Sequence, residues 1–128
     1  PTLPSFPERS FGGLVRRGSG VVLLKDPWVP GTLSFRGGTL TWTDASDPTK
    51  SIVLEASDLV EQFLLCPRET DFDGACWEWG VKTDSSEHRF RDAAWAKATS
   101  AKPAEIHALV KAALPGLPDE RYRASKKK

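Results

Sequence analysis

Residues 25 to 36, KDPWVPGTLSFR, set Trp28 and Val29 between two prolines, with Lys25 before them and Arg36 after. The residue types carry defined chemistry. A guanidinium presents a planar fork of donors that fits a phosphate, and an ammonium is a compact, mobile charge, so the two together can converge on one anion. An indole has an apolar body and a single donor, which suits the boundary between lipid headgroups and hydrocarbon. Pro27 and Pro30 stiffen the turn, so less conformational freedom is lost when its tip inserts. Arg16, Arg17 and Lys50 are further cations able to join the group. The chemistry on offer is capture of an anion with an aromatic wedge beside it.

No catalytic centre is legible. His88 and His107 have no spacing to each other, or to acids, that would build a metal site or a triad. Ser19 lies between glycines without the strand-to-helix elbow of a nucleophile. RRGSG lacks the lysine and the following helix of a phosphate loop. Neither enzymatic activity nor a cofactor nor a metal is expected. Cys66 and Cys76 are a single pair, too few for a disulfide scaffold or a zinc site without other ligands. A hairpin would let them face each other, but the cytosolic look of the chain favours two half-buried reduced thiols.

The elements that must position these residues follow from size and periodicity. The chain has 128 residues, 39% hydrophobic and 27% charged, which suits one globular domain with one core. Its 18 Lys and Arg stand against 17 Asp and Glu, so no global basic field points to nucleic acid, and attraction to anions must be local. The expected state is a monomer. No apolar run is long enough for a membrane-spanning helix, and the N-terminus lacks a signal-peptide pattern. A start at Pro1 with no methionine anywhere reads as an excised fragment, from which targeting or lipidation signals have been cut away.

Between residues 21 and 91 the apolar period is two. VVLLK (21–25), TLSFR (32–36), TLTWT (39–43), SIVLE (51–55), LVEQFLLC (59–66), ACWEWGVK (75–82) and EHRFR (87–91) read as seven strands, with Trp42, Trp77 and Trp79 facing the core. Gly37-Gly38 is a tight hairpin signal. From Pro103 the period becomes helical: Ile106, Leu109, Val110 and Ala113 share a face, and Pro115-Gly116 ends the element. Asp92 to Ala98 adds a helical turn that brings Trp95 against the core. The fold class is therefore mainly β with one C-terminal helix. Residues 1–13 read as a disordered or loosely docked leader, 14–114 as the domain, and 115–128 as a basic tail.

Seven strands followed by one helix resemble the pleckstrin-homology-like superfamily, a seven-stranded bent sheet or partly open barrel capped by the helix. The resemblance covers residues 14 to 114 and is one of layout; the tryptophan usual in the final helix is missing, with Trp95 upstream instead. In lipid-binding members, the turn between the first two strands carries a lysine and then a basic-x-arginine pattern. Lys25 and Arg36 stand at its ends, with Ser34 in the middle basic place. The resemblance implies a cytoplasmic module, peripheral at a membrane surface. It would hold phosphatidic acid or a phosphoinositide through Lys25, Arg36, Arg16, Arg17, Lys50 and Ser34, with Trp28 and Val29 inserting. A phosphatidic-acid reader similar to the acylated PH-domain proteins of apicomplexan parasites is one such relative. Burial of roughly 100 to 150 Å² at about 25 cal/mol per Å², plus about 1 kcal/mol per cation, implies micromolar-to-millimolar affinity and hence a second anchor. The alternative is a protein-interaction module of the chromatin or transcription type, in which Glu55, Asp58 and Glu61 meet a basic peptide or histone partner.

Overall fold

A computed structural model describes residues 5–17, 28–66, 76–93 and 101–123. The strands are β1 (Phe6–Arg17), β2 (Trp28–Gly37), β3 (Thr39–Asp44), β4 (Ser51–Glu55), β5 (Leu59–Cys66), β6 (Glu78–Thr83), β7 (Glu87–Asp92) and β8 (Asp119–Arg123). A 3-10 turn, Ala56–Asp58, separates β4 from β5, and one helix, α1 (Lys102–Ala113), precedes β8. They form one sheet in the order β4-β3-β2-β1-β7-β6-β5-β8. β1 to β7 pair antiparallel and β8 runs parallel to β5, so the sheet is open, with β4 and β8 at its edges. The fold is mainly β with a single C-terminal helix.

β1 joins the two halves. It pairs with β2 from Phe6 to Arg17 and with β7 at Leu14, Val15 and Arg16, so this short seam ties the β1–β4 meander to the β5–β7 meander. Residues 6 to 13, which read as part of a leader, are the first half of this strand. Their pattern hides it: the buried positions Phe6, Phe11 and Leu14 are spaced five and then three apart. The register to β2 shifts between Phe6 and Arg9 and again between Phe11 and Leu14. Each shift leaves one extra residue on β1, as a bulge does, and Gly13 takes the positive φ of 65° at the second. The expected strand at 21–25 and the helical turn carrying Trp95 lie outside the described residues. At the other end, residues 119–123, read as tail, add β8. Its sequence, DERYR, has no apolar alternation. Backbone pairing to β5 holds it, with Asp119 Oδ1 2.9 Å from His107 Nε2 and Lys111 donating to Asp119 Oδ2 at 3.4 Å.

The inward residues make one core. Leu33 and Phe35 of β2, Leu40 and Trp42 of β3, Leu64 of β5, Trp79 and Val81 of β6 and Phe90 of β7 are buried, and Ile106, Leu109 and Val110 of α1 close over them. Trp79 stacks on Phe90 with centroids 5.6 Å apart, and Trp42 meets the same ring at 5.4 Å. Trp79 donates its indole N–H to the buried Gln62 at 2.8 Å, which satisfies a donor that the core would otherwise strand. Trp77 is only half-buried, at the mouth of the β5–β6 hairpin. The helix begins against the first half of β1: Lys102 donates to the Gly12 carbonyl at 2.8 Å, and Arg9 pairs with Glu105 at 3.4 Å. The far end of β1, at Arg16 and Arg17, is left clear of these contacts. Among the described residues no helix is long and apolar enough to cross a membrane.

Cys66 and Cys76 form a disulfide, which corrects the expectation of reduced thiols. The Trp77 N–H donates to the Leu65 carbonyl at 2.8 Å, carrying the β5–β6 pairing past Glu78 and bringing the two cysteines to a Cα separation of 4.1 Å. Spacing along the chain does not report that register. A bridge over a separation of 10 residues stabilises the fold by about 2 to 3 kcal/mol, by restricting the unfolded chain.

Candidate functional site

The pairing of β1 with β2 sets the site. Arg16 lies opposite Val29, and Arg17 opposite Trp28. The β3–β4 turn reaches the same end of the sheet, because Gly31 pairs with Asp44 and Ala45 donates to the Pro30 carbonyl at 2.9 Å. This turn is stapled by its own side chains. Asp44 accepts from the Ser46 backbone and hydroxyl, both at 2.8 Å, and Asp47 accepts from the Thr49 hydroxyl at 2.6 Å. Those bonds, led in each case by the hydroxyl, hold both carboxyls below the usual aspartate range. Lys50 emerges exposed from the stapled turn. The strand β7 enters from the other half of the sheet, with Phe90 opposite Arg16 and Arg91 opposite Val15.

Alternation sorts these residues between the two faces. Arg16 shares the inner face with the buried Leu14 and is half-buried in the mouth of the sheet. Burial draws its guanidinium below the ordinary value, with Asp44 opposing the shift. One end donates to the Arg17 carbonyl at 3.3 Å, while its Nε is buried with no hydrogen-bond partner among the described residues. That is an unused charged donor at the open end of the core. His88 faces the same region. Burial first, then the Arg16 charge, lowers its pKa, and its Nε2 lies 2.9 Å from Ser86 Oγ.

On the outer face, Trp28 is half-buried at the start of β2 and not at the tip of a free turn. The Arg91 guanidinium lies over its ring, 4.9 Å from the centroid, and exposed Arg17 sits across from it. Arg91 also donates to the buried Glu78 at 2.8 Å, and Arg89 pairs with the same carboxylate. A strip therefore runs over β7 and β6 from Trp28 through Arg91 to Glu78 and Arg89. Nothing in residues 25 to 36 announces it. The one available signal is the outward pair of arginines flanking Phe90 in HRFRD.

Arg36 and Ser34 do not converge on this end. Arg36 pairs with Thr39 at the β2–β3 turn. It stands eight residues along the strand from Trp28, roughly 26 Å at about 3.3 Å per residue. Ser34 is mid-strand, with its hydroxyl 3.0 Å from that of Ser10. Lys25 lies outside the described residues. Of the acids proposed to meet a protein partner, Glu61 pairs with Lys82 at 3.9 Å, while Glu55, the last residue of β4, and Asp58, in the turn after it, are exposed. Among the described residues no group of three or more His, Cys, Asp and Glu is placed to hold a metal ion.

The His88 environment has a pH signature. Its pKa is lowered in the folded state, so the unfolded chain binds the extra proton first as pH falls through about 6.5, the ordinary histidine value. Stability present above that pH is then lost on acidification. Asp44 and Asp47, also lowered, keep their contribution until far more acidic conditions. Thermal melts between pH 7.5 and 5 are therefore expected to fall for the natural chain and to flatten for His88→Gln. Parallel curves would remove the assignment.

No protein-family model matches the chain, and no curated protein matches it in sequence.

Proposed function

We propose that this chain is a PH-like module that attaches peripherally to anionic phospholipid surfaces through the rim formed by Arg16, Arg17, Trp28, Val29 and Lys50. The strand order with one C-terminal helix is consistent with the PH-like layout. The observation that carries the reading is the cross-strand pairing of two arginines with Val29 and Trp28, one of the arginines having a buried Nε with no partner among the described residues. Cation and wedge then share one edge of the molecule. The exposed part of the half-buried Arg16 guanidinium and the exposed Arg17 and Lys50 meet a phosphomonoester or phosphodiester, while the exposed part of the indole enters the headgroup layer.

With Arg91 stacked on it, Trp28 acts as part of an aromatic and cationic plate and buries less new surface than a free turn tip. Affinity for a single copy is weak, and phosphatidic acid, with its terminal phosphate, suits so few cations better than a crowded inositol polyphosphate. Co-sedimentation with phosphatidylcholine vesicles, alone and doped with phosphatidic acid or a phosphoinositide, tests this. Pelleting is expected only with the anionic lipids, strongest with phosphatidic acid, and falling steadily as salt is raised. Equal pelleting on all three vesicles, or none, removes the reading.

A further inference from the structure

Among the described residues no strand pairs with the outer side of β4, and the chemistry of this edge is self-complementary. β4, SIVLE, is the terminal strand on its side. Asp44 donates to the Lys50 carbonyl, and Ala56 donates to the Gly38 carbonyl at 2.8 Å, so the bonding alternation of an antiparallel pair turns Lys50, Ile52, Leu54 and Ala56 toward β3. The backbone N–H and C=O groups of Ser51, Val53 and Glu55 therefore point away from the sheet, and no described residue takes them. Natural edges are usually blunted by lysine, proline, a bulge or a covering element. β4 has none within it, and Val53 is 55% exposed on it. The opposite edge differs: β8 is charged at every position except Tyr122.

Beside this edge lies a groove of about 350 Å³ lined by Leu54, Asp58, Thr83, Asp84, Ser85 and Ser86. Asp58 and Asp84 are exposed, and no described residue pairs with either carboxylate. The only cation next to β4 along the chain is Lys50, at the other end of the strand.

We propose that β4 pairs antiparallel with β4 of a second copy of this chain, about a two-fold axis at Val53. In that register Ser51 lies opposite Glu55 of the other copy, and Val53 opposite Val53, each pair exchanging both backbone bonds. Ile52 packs against Leu54 on the inner face. Lys50 falls opposite Ala56, on the Leu54 side of the strand, and so enters the groove between Asp58 and Asp84; in the paired state it is withdrawn from the lipid rim, where Arg16 and Arg17 remain. The symmetry repeats that ion pair at the other end. A stray peptide would need its own cation at this place, whereas a second copy already carries one. A strand this short buries an interface at the small end of specific contacts, so association is weak and visible only at high concentration.

Sedimentation equilibrium from micromolar to millimolar protein tests the proposal. The mass is expected to rise from 14.1 kDa toward twice that value. Val53→Lys sets like charges on the axis and is expected to remain monomeric throughout; its exposed position spares the core. Lys50→Glu and the double variant Asp58→Lys/Asp84→Lys are each expected to weaken association at least tenfold alone and to recover it when mixed, because the reversed charges then match at both ends. A wild-type chain that stays monomeric at millimolar concentration overturns the inference and leaves the edge to a different partner. So does a Val53→Lys chain that associates like wild type, or a charge-swapped mixture that fails to recover.

Discussion

Gly31→Ala is expected to lower unfolding stability by about 3 kcal/mol or more, at the upper end of what overpacking a core costs. Gly31 is buried on the inner face of β2, opposite Asp44 and Leu14. A methyl group there would run into the Thr43 carbonyl oxygen and come within 2.6 Å of Trp42 Cζ2. Neither obstacle can step aside cheaply. The carbonyl belongs to the backbone of β3, where Thr43 pairs with Thr32, and Trp42 is 2% exposed and packed against Phe90. The strands must separate or the indole must leave its place. Gly80→Ala provides the comparison: its methyl would meet the Phe63 ring, and that side chain can swing about χ1 toward the pocket it lines with Leu65, Lys82, Glu87 and Arg89, where a backbone cannot move. A smaller loss of about 1 to 3 kcal/mol is expected there. Urea unfolding followed by tryptophan fluorescence measures both. A Gly31→Ala midpoint equal to that of the natural chain would show that β2 and β3 are not packed as described.

The same pair of strands shows what a sequence reveals and what it hides. Strict alternation in TLSFR and TLTWT, joined at Gly37 with its φ of 56°, makes β2 and β3 readable, and the helix announces itself by a change of period. β1 breaks the rule that makes strands legible, since two bulges put its buried residues out of phase. The disulfide depends on which residue of β6 lies beside Cys66, a property of register and not of spacing. At the site, Trp28, Val29, Arg16, Arg17 and Lys50 were recognisable by type, and the structure brings them to one end. Arg36 entered through a pattern of spacing along the chain. An extended strand carries it the whole length of β2 away, whereas a loop would have kept it near. Glu78 gives no sign in ACWEWGVK, because an outward acid on a strand is ordinarily a solvated charge. It becomes a buried hub only once β7 brings Arg89 and Arg91 against it.

That difference between rim and turn yields the largest expected functional effect. Arg17→Glu combined with Lys50→Glu is expected to reduce partitioning onto phosphatidic-acid vesicles by roughly a thousandfold. Each lost cation removes about 1 kcal/mol near an anionic surface, and each new carboxylate adds a repulsion of similar size, which sums to about 4 kcal/mol. Both side chains are exposed, so the fold should tolerate the change, which matching thermal melts would verify. Arg36→Glu changes the net charge by the same amount per residue but at the opposite end of β2, beyond a Debye length from the rim at physiological salt. It is expected to shift partitioning by less than about threefold. Trp28→Ala should fall between, at roughly five- to thirtyfold, because the indole is already half-buried and only its exposed part can enter the headgroup layer. If Arg36→Glu weakens binding as much as the rim pair does, capture is a matter of overall charge and the rim has no special part in it. If none of the variants changes binding to phosphatidic acid, the contact surface lies elsewhere on the sheet.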